Sequence, residues 1–477
     1  MFPALLSLGL GMPTGCADGR SPTTDTADRG PGRPVSLGLK LSGAREGELA
    51  GVAVAGNFDL NGDAQSDVAI GAMLSDAKNE SSGRACVFLG RVRKDTTLKR
   101  ADLCLHGSGE NHLFGRDIEG LDDLDGDGFD ELGIGAVHDD QGGQNSGVVV
   151  VIWGAADLST PVASEVWGTD SGGHAGLRFA PVPGDSPRFV VGAHEANLDA
   201  QDGEELRGEG VAWIVDTPPR GERVPLSDVA RRWTGEREDD RAGVSVSSPG
   251  DLDGDGLADV LIGASQARTS DPGDQVGAVY VVLSPFEHDG SLADADAVVH
   301  GTTDRAWFGW AVAGLGDVDG DGLGDFATSA FKDGTNGPDA GAVYVFSGLP
   351  SPGDDLSTAG GVLLGEWEGD KAGEVLEPGG DLDGDGHQEL LVGAPTAGHR
   401  RTWAGALYAV RGPFVGVRDL GEPEDDLWVG TEDLQFVGSS AAAAGDIGGS
   451  QAPDVIVGAM GDTTSIGAAF LLLEVGW

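Results

Sequence analysis

The chain has 477 residues and carries 79 Asp and Glu against 30 Lys and Arg, a formal net charge of −49. That balance excludes nucleic acid and anionic membrane surfaces as partners and suits cations in an extracellular setting. Its 82 glycines follow no G-X-Y period, so a collagen-like rod is excluded as well.

Residues 1–16, MFPALLSLGLGMPTGC, form a short apolar run followed by small residues and Cys16. The run is too short to span a bilayer and reads as a secretion signal. It resembles a bacterial lipoprotein signal with Cys16 as the lipidated residue, although it lacks a basic start and has Pro13 where that signal has Leu. The alternative is an ordinary signal cleaved nearby. Residues 17–34 are Pro, Thr, Asp and Gly with almost nothing to bury, which predicts a disordered linker. No later stretch approaches 18 consecutive apolar residues. Membrane association is therefore expected only through a lipid anchor, and the protein is expected at the outer membrane or cell surface, or secreted.

From residue 35 to 477 the chain repeats itself. The stretch DLDGDGLADVLIGA (251–264) returns at 122–136, 317–330 and 381–394, more loosely at 59–72, and eroded at 446–459. The first acids, Asp59, Asp123, Asp251, Asp317, Asp381 and Asp446, are 64, 128, 66, 64 and 65 residues apart. The double gap hides a further unit, VPGDSPRFVVGA (182–193), which has lost its acidic loop. Each of the seven units has an apolar segment, the loop, a β-branched run, an alternating run after Gly (GAVYVVL, 277–283) and a last run ending in Gly (DAVVHG, 296–301). Short runs bounded by Gly, Asp and Pro are strands. Four strands repeated seven times predict an all-β, seven-bladed β-propeller at 35–477, about 63 residues per blade. The last unit stops after its third strand, and VSLGLKLSG (35–43) is an orphan. The N-terminal strand is thus expected to close the last blade and leave no open edge.

The loops read D-x-D-x-D-G-x-x-[DE]. Their side-chain oxygens come from Asp59, Asn61, Asp63 and Asp67; Asp123, Asp125, Asp127 and Glu131; Asp251, Asp253, Asp255 and Asp259; Asp317, Asp319, Asp321 and Asp325; and Asp381, Asp383, Asp385 and Glu389. Position seven, Gln65, Phe129, Leu257, Leu323 or His387, would add a backbone carbonyl. Four such groups within nine residues repel unless a cation sits among them. All-oxygen ligation selects a hard ion, and Ca2+ tolerates irregular coordination better than Mg2+, so about five Ca2+ sites are expected. The bland alternative is a set of solvated Asp-Gly turns. An EF-hand is rejected, because its twelfth position holds Ile134, Ile262 or Val392 here. The eroded loop, with Gly448 and Ser450, should bind weakly or not at all, and the third unit should bind none.

With these loops stand Phe114-Gly115 and Phe308-Gly309, variants such as Ala242-Gly243, and Gly393-Ala394-Pro395. In these residues the chain resembles the FG-GAP repeat family, the propeller of the integrin α-subunit head. The resemblance implies the propeller fold, the Ca2+ loops, and adhesion or ligand binding on the opposite face. Fold alone does not fix function.

Other chemistry is sparse. His106 and His300 share a repeat slot with Trp167, and Tyr280, Tyr344, Tyr408, Trp213 and Phe470 share a column, so all are expected to pack. The nine His are scattered, and no nucleophile elbow, phosphate loop, HExxH or CxxC is present. Cys86 and Cys104 lie on neighbouring strands of the first unit, and export permits a disulfide between them; the alternative is two buried thiols. The sequence favours a non-enzymatic surface module for adhesion or ligand binding. A polysaccharide-active enzyme using the channel and a purely structural surface protein are the alternatives. The expected partner is a protein or glycan on the face opposite the Ca2+ loops, near Arg401, Trp403 and Trp307. Both tryptophans could instead merely cap blade ends.

Overall fold

The computed structural model describes residues 34–35, 37–76, 79–184, 186–196, 208–269, 273–398, 401–422, 425–461 and 466–473. The signal, Cys16, most of the linker, His399 and Arg400 lie outside the described residues. Among the described residues no helix is long and apolar enough to cross a membrane.

Seven sheets follow one another in the order of the repeats. In blade 4 the strands are Ala242–Gly250, Asp259–Ala264, Ala278–Val282 and Ala297–His300, each antiparallel to the next. The first strands of the seven blades, Ala50–Phe58, Phe114–Gly120, Arg178–Val182, Ala242–Gly250, Phe308–Gly316, Val375–Gly380 and Val437–Gly445, pack side by side around the axis, the last against the first. The β-branched run after each acidic loop is the second strand. Asp259–Ala264 is buried at every position because neighbouring blades cover both of its faces. The core therefore lies between blades rather than within them. Leu315, Ala327, Leu390 and Tyr408, for instance, form one cluster shared by blades 5 and 6.

The glycines of the two repeat signatures meet each other. The Gly after Phe or Ala at the start of each first strand has positive φ, 79° at Gly309 and 81° at Gly115, Gly243 and Gly51, a region that other residues enter at a cost. Its carbonyl points at the Gly of the Gly-Ala pair in the preceding blade. A Cβ on Gly263 would lie 2.2 Å from the Gly309 oxygen, one on Gly71 2.1 Å from that of Gly115, and one on Gly192 2.0 Å from that of Gly243. Blade 5 has Ser329 at this place, and there the constraint falls on Gly373, whose added Cβ would meet Ser329 Cβ at 2.7 Å.

Two features depart from the expectation. Ring closure uses Leu39–Ser42, antiparallel to Ala468–Leu472 of blade 7, whereas Pro34–Val35 pairs in parallel with Leu427 and Trp428 of blade 6. Val35 is therefore not part of the closing strand, and the disordered linker cannot extend to Pro34. Gly38 breaks the run: a Cβ there would lie 1.9 Å from the Leu471 oxygen. Five of the seven sheets also gain a fifth strand. In four of them the connection between strands three and four of the following blade supplies it, as with Gly416–Asp419 on Gly361–Leu364 and Thr96–Thr97 on the closing strand.

Cys86 and Cys104 face each other in register across blade 1, with Cα atoms 4.2 Å apart and their sulfurs bonded.

Deleting residues 1–43 removes Leu41, which is fully buried, and leaves Ala468–Leu472 as an open edge. A lower unfolding midpoint and aggregation are expected. Deleting 1–33 should leave the midpoint unchanged. Calorimetry and size-exclusion chromatography of both truncations test this; an unchanged monomer after the longer deletion contradicts closure.

Candidate functional site

The acidic loops join strands one and two of their blades, so they share one face of the ring. Their internal bonding is nearly identical. In blade 4, Asp251 accepts the N–H groups of Gly254 and Asp255 on Oδ1 (2.7 and 3.1 Å) and of Gly256 on Oδ2 (2.8 Å). Asp253 and Asp255 each accept a backbone N–H two residues on, through Oδ1. Blades 2 and 5 repeat this pattern. The ninth residue differs in kind. Asp67, Glu131, Asp259, Asp325 and Glu389 are completely buried beneath their loops. Asp259 accepts from Leu252 (2.8 Å) and from Ser284 (2.9 Å), which ties the loop to the start of the connection between strands three and four.

Burial, with repulsion from the loop acids, raises the pKa of these carboxyls: Asp67 to about 7, Glu131 to about 8, Asp259 to about 6 and Glu389 to about 7. Asp325 moves the same way for the same reasons. The loops thus hold carboxylates that the protein alone does not balance, and Glu389 Oε1 is buried with no hydrogen-bond partner among the described residues. Carboxylate oxygens of Asp123, Asp125 and Asp127 lie within 4.8 Å of one another, as do those of Asp251, Asp253 and Asp255, of Asp317, Asp319 and Asp325, and of Asp381, Asp383 and Asp385. This donor set fits a hard divalent cation.

Blade 1 is not among these groups. Asn61 and Gln65 both donate side-chain N–H bonds to Asp63 Oδ2, at 3.2 Å each, so that oxygen is already engaged. Residues at position seven, such as Leu257 and His387, donate their N–H to the third acid of the loop. In the eroded loop of blade 7, Asp446 and buried Asp454 still accept backbone N–H groups, and the guanidinium of Arg91 lies against Gly449.

Blade 2 carries a cation of its own. Arg220, from the connection between strands three and four of blade 3, places Nη1 2.9 Å from Asp125 Oδ2 and 2.8 Å from Asp127 Oδ2, with Nη2 3.1 Å from the Gly154 carbonyl. Its guanidinium also sits 5.4 Å from the Trp153 ring centroid. Those two oxygens are the ones the loop backbone leaves free.

The opposite face is aromatic and basic in one sector. Trp307, half-buried with φ 60°, packs on Trp310 and Phe331 at 5.3 and 5.5 Å, and Lys332 Nζ lies 3.8 Å from its ring centroid. Trp403, half-buried with φ 50°, lies 6.1 Å from Phe436, and Arg401 is exposed. Both tryptophans are therefore blade-end packing, and the exposed groups nearby are Arg401 and Arg305. The tyrosine column is core: Tyr280, Tyr344 and Tyr408 are buried, and Tyr280 donates to Glu236 at 3.0 Å.

Two arrangements were not visible in the linear sequence. Glu119 and Glu377, on the first strands of blades 2 and 6, are close enough to repel. Burial and that repulsion raise the Glu119 pKa, while Asp117 of the same strand pairs with Arg178 of blade 3 at 3.2 Å. Three of the nine histidines, His138, His174 and His194, stand in a row. Aligning the units would have found them. His174 directly precedes an Ala-Gly pair, and His138 and His194 directly follow or nearly follow Gly-Ala pairs, at the seam where neighbouring blades touch.

Substituting Arg220 by Ala is expected to tighten divalent-cation binding at blade 2. Two exposed ion pairs worth about 0.2–1 kcal/mol each would otherwise be displaced, so the gain is about two- to thirtyfold. Calorimetric titration of both proteins measures it; equal affinities and stoichiometries would show that the guanidinium does not compete.

The FG-GAP repeat family model matches residues 242–282 and 372–410. The chain is 34% identical over 193 residues to integrin alpha-PS2 of Drosophila melanogaster, covering 37% of the chain and 14% of that protein. It is 38% identical over 169 residues to integrin alpha-5 of Xenopus laevis (34% and 15%) and 33% identical over 243 residues to human integrin alpha-X (46% and 20%). The matches thus span a fifth or less of these relatives' lengths. The chain carries FG-GAP repeats, assembled as a seven-bladed propeller similar to the N-terminal region of the integrin α subunits.

Proposed function

We propose that the chain is an exported binding propeller: one face is stiffened by Ca2+ in the acidic loops, and the other docks a protein ligand in an adhesive role. The observation that carries this reading is the repeated cluster of three carboxylates within 4.8 Å in four blades, above a buried fourth acid in blades 2, 4 and 6 and including the buried Asp325 in blade 5. The Cys86–Cys104 bond and the integrin relatives support an extracellular setting. The channel acids Glu119 and Glu377 are the observation favouring the enzymatic alternative; hydrolysis of a polysaccharide that is lost in Glu377→Gln would replace the binding reading.

Ca2+ should stabilise the fold. Extracellular modules bind with Kd of about 10⁻⁴–10⁻³ M, so ~1 mM Ca2+ contributes about 0.4–1.4 kcal/mol per site. The pH dependence without cations follows from the raised pKa values. In the unfolded chain these acids lose their protons near pH 4; in the fold Asp259 does so at about 6 and Glu131 at about 8. As pH rises from about 4 to 8 the unfolded state deprotonates first, so stability falls across that window. Saturating Ca2+ should flatten the fall. Calorimetry in Ca2+ and in EDTA, at pH 5 and pH 8, tests both statements. Equal midpoints in Ca2+ and EDTA would sink the cation assignment.

For the ligand face, the Ca2+-loaded protein would be screened against arrayed extracellular proteins and glycans. A hit that Arg401→Ala or Arg305→Ala weakens at unchanged midpoint supports the face; a hit indifferent to both places the contact elsewhere. Trp403→Ala is expected to lower the midpoint, because Trp403 packs on Phe436.

A further inference from the structure

The loop of blade 1 carries an amide, Asn61, where blades 2, 4, 5 and 6 have Asp125, Asp253, Asp319 and Asp383, and Asn61 is followed by Gly62. Asn-Gly pairs are prone to intramolecular deamidation, because a residue without Cβ lets its backbone nitrogen approach the side-chain Cγ of the Asn before it. The chain has one other such pair, Asn336–Gly337, between the second and third strands of blade 5 (Asp325–Ala330 and Ala342–Ser347). We propose that Asn61 is a site of spontaneous deamidation, that the fold protects Asn336 from the same reaction, and that the product loosens the blade 1 loop.

The attacking nitrogen is differently placed at the two pairs. In the other acidic loops the fourth residue donates its N–H to the first acid, at 2.7 Å from Gly126, Gly254, Gly320 and Gly384 and 2.6 Å from Gly449. In blade 1 the first acid, Asp59, accepts from Asp63 and Ala64 at 3.1 and 2.7 Å, and Gly62 N makes no hydrogen bond among the described residues. The carboxamide is also held for the reaction. Asn61 Oδ1 accepts the Asp63 N–H at 3.1 Å, and Nδ2 donates to Asp63 Oδ2 at 3.2 Å. Attack of Gly62 N on Cγ forms a C–N bond while the N–H proton passes to water. The charge gathers on Oδ1, the atom that a backbone donor already holds. The C–N bond to Nδ2 then breaks, and Nδ2 leaves with a proton as ammonia. Water opens the cyclic imide at either carbonyl, giving Asp or isoaspartate, so water is consumed, ammonia is released and nothing is oxidised. At Asn336 the arrangement is reversed. Gly337 N donates to the Gly334 carbonyl at 3.2 Å, Nδ2 donates to the Gly365 carbonyl and to Asp419 at 2.9 and 3.2 Å, and Oδ1 has no donor among the described residues. Asn336 is exposed and Asn61 half-buried, so exposure alone would give the opposite order. Deamidation at Asn61 removes an amide donor from Asp63 and sets a new carboxylate beside Asp59 and Asp63.

The test is to age the full chain in EDTA at mildly alkaline pH and to follow each Asn by peptide mass spectrometry. The Asn61 peptide should gain the mass of an amide-to-acid exchange and split into Asp and isoaspartate forms. It should do so at least about fivefold faster than the Asn336 peptide, the factor set by the hydrogen bond that Gly337 N must first give up. In concentrated urea the two rates should converge, because the folded contacts are gone. Equal rates in the folded chain, or a faster reaction at Asn336, overturn the proposal. So does a preference for Asn61 that persists unchanged in urea, which would make it a property of local sequence alone. Asn61→Asp stands in for the Asp product and should unfold at a lower midpoint than the wild type in EDTA; an equal or higher midpoint overturns the loosening of the loop.

Discussion

The fold depends on backbone touching backbone between neighbouring blades. At six of the seven seams a carbonyl from a left-handed glycine reaches the Cα of a glycine in the preceding blade, at a separation that leaves no room for a methyl group. Everything else about the ring follows from that approach. It brings second strands close enough to be buried on both faces, hence their unbroken apolar sequence. It also puts the core in the seams, so a blade has little hydrophobic interior of its own and is stable only beside its neighbours. The Ser329 seam shows that the requirement belongs to the contact and not to one residue, because there the space is yielded by Gly373.

Much of this was legible from residue order, because repetition reveals itself without structure. Blade number, the second strands, the acidic loops and the closing strand all follow from spacing and alternation. What escaped shares a physical cause: pairing between segments of different blades. The two-residue contacts of Pro34–Val35 and Thr96–Thr97 are too short to carry a periodic signal. Arg220 meets Asp125 and Asp127 from more than ninety residues away. The histidine row joins units 2 and 3, which a list of histidines cannot show. The buried carboxylates are a different case. The spacing marks Asp259 and its counterparts as candidate ligands, yet nothing in it shows that each also accepts backbone N–H groups and anchors its loop.

The acidic face is a problem of charge balance solved locally in different ways. In blade 2 an arginine from the next blade occupies the free oxygens, and in blade 7 two of the acids are missing and the Arg91 guanidinium lies against Gly449. Blade 1 hydrogen-bonds its third acid with amide donors from Asn61 and Gln65. Blades 4, 5 and 6 keep three-acid clusters like that of blade 2, and in blade 6 Arg411 lies 3.7 Å from Asp383. The loops therefore form a graded series rather than five copies of one site, and the cations on this face would not bind with one affinity.

The splice at the chain's beginning has a mechanical side. Pro34–Val35 is held by blade 6 and Leu39–Ser42 by blade 7, so the start of the described chain bridges two blades. A load entering through the backbone upstream of Pro34 meets a short parallel pair first and the antiparallel closing strand second. The closing strand is flanked on its other edge by Thr96–Thr97 of blade 1. Tension is thus shared among three adjacent blades at the one place where the ring is joined by hydrogen bonds rather than by continuous chain.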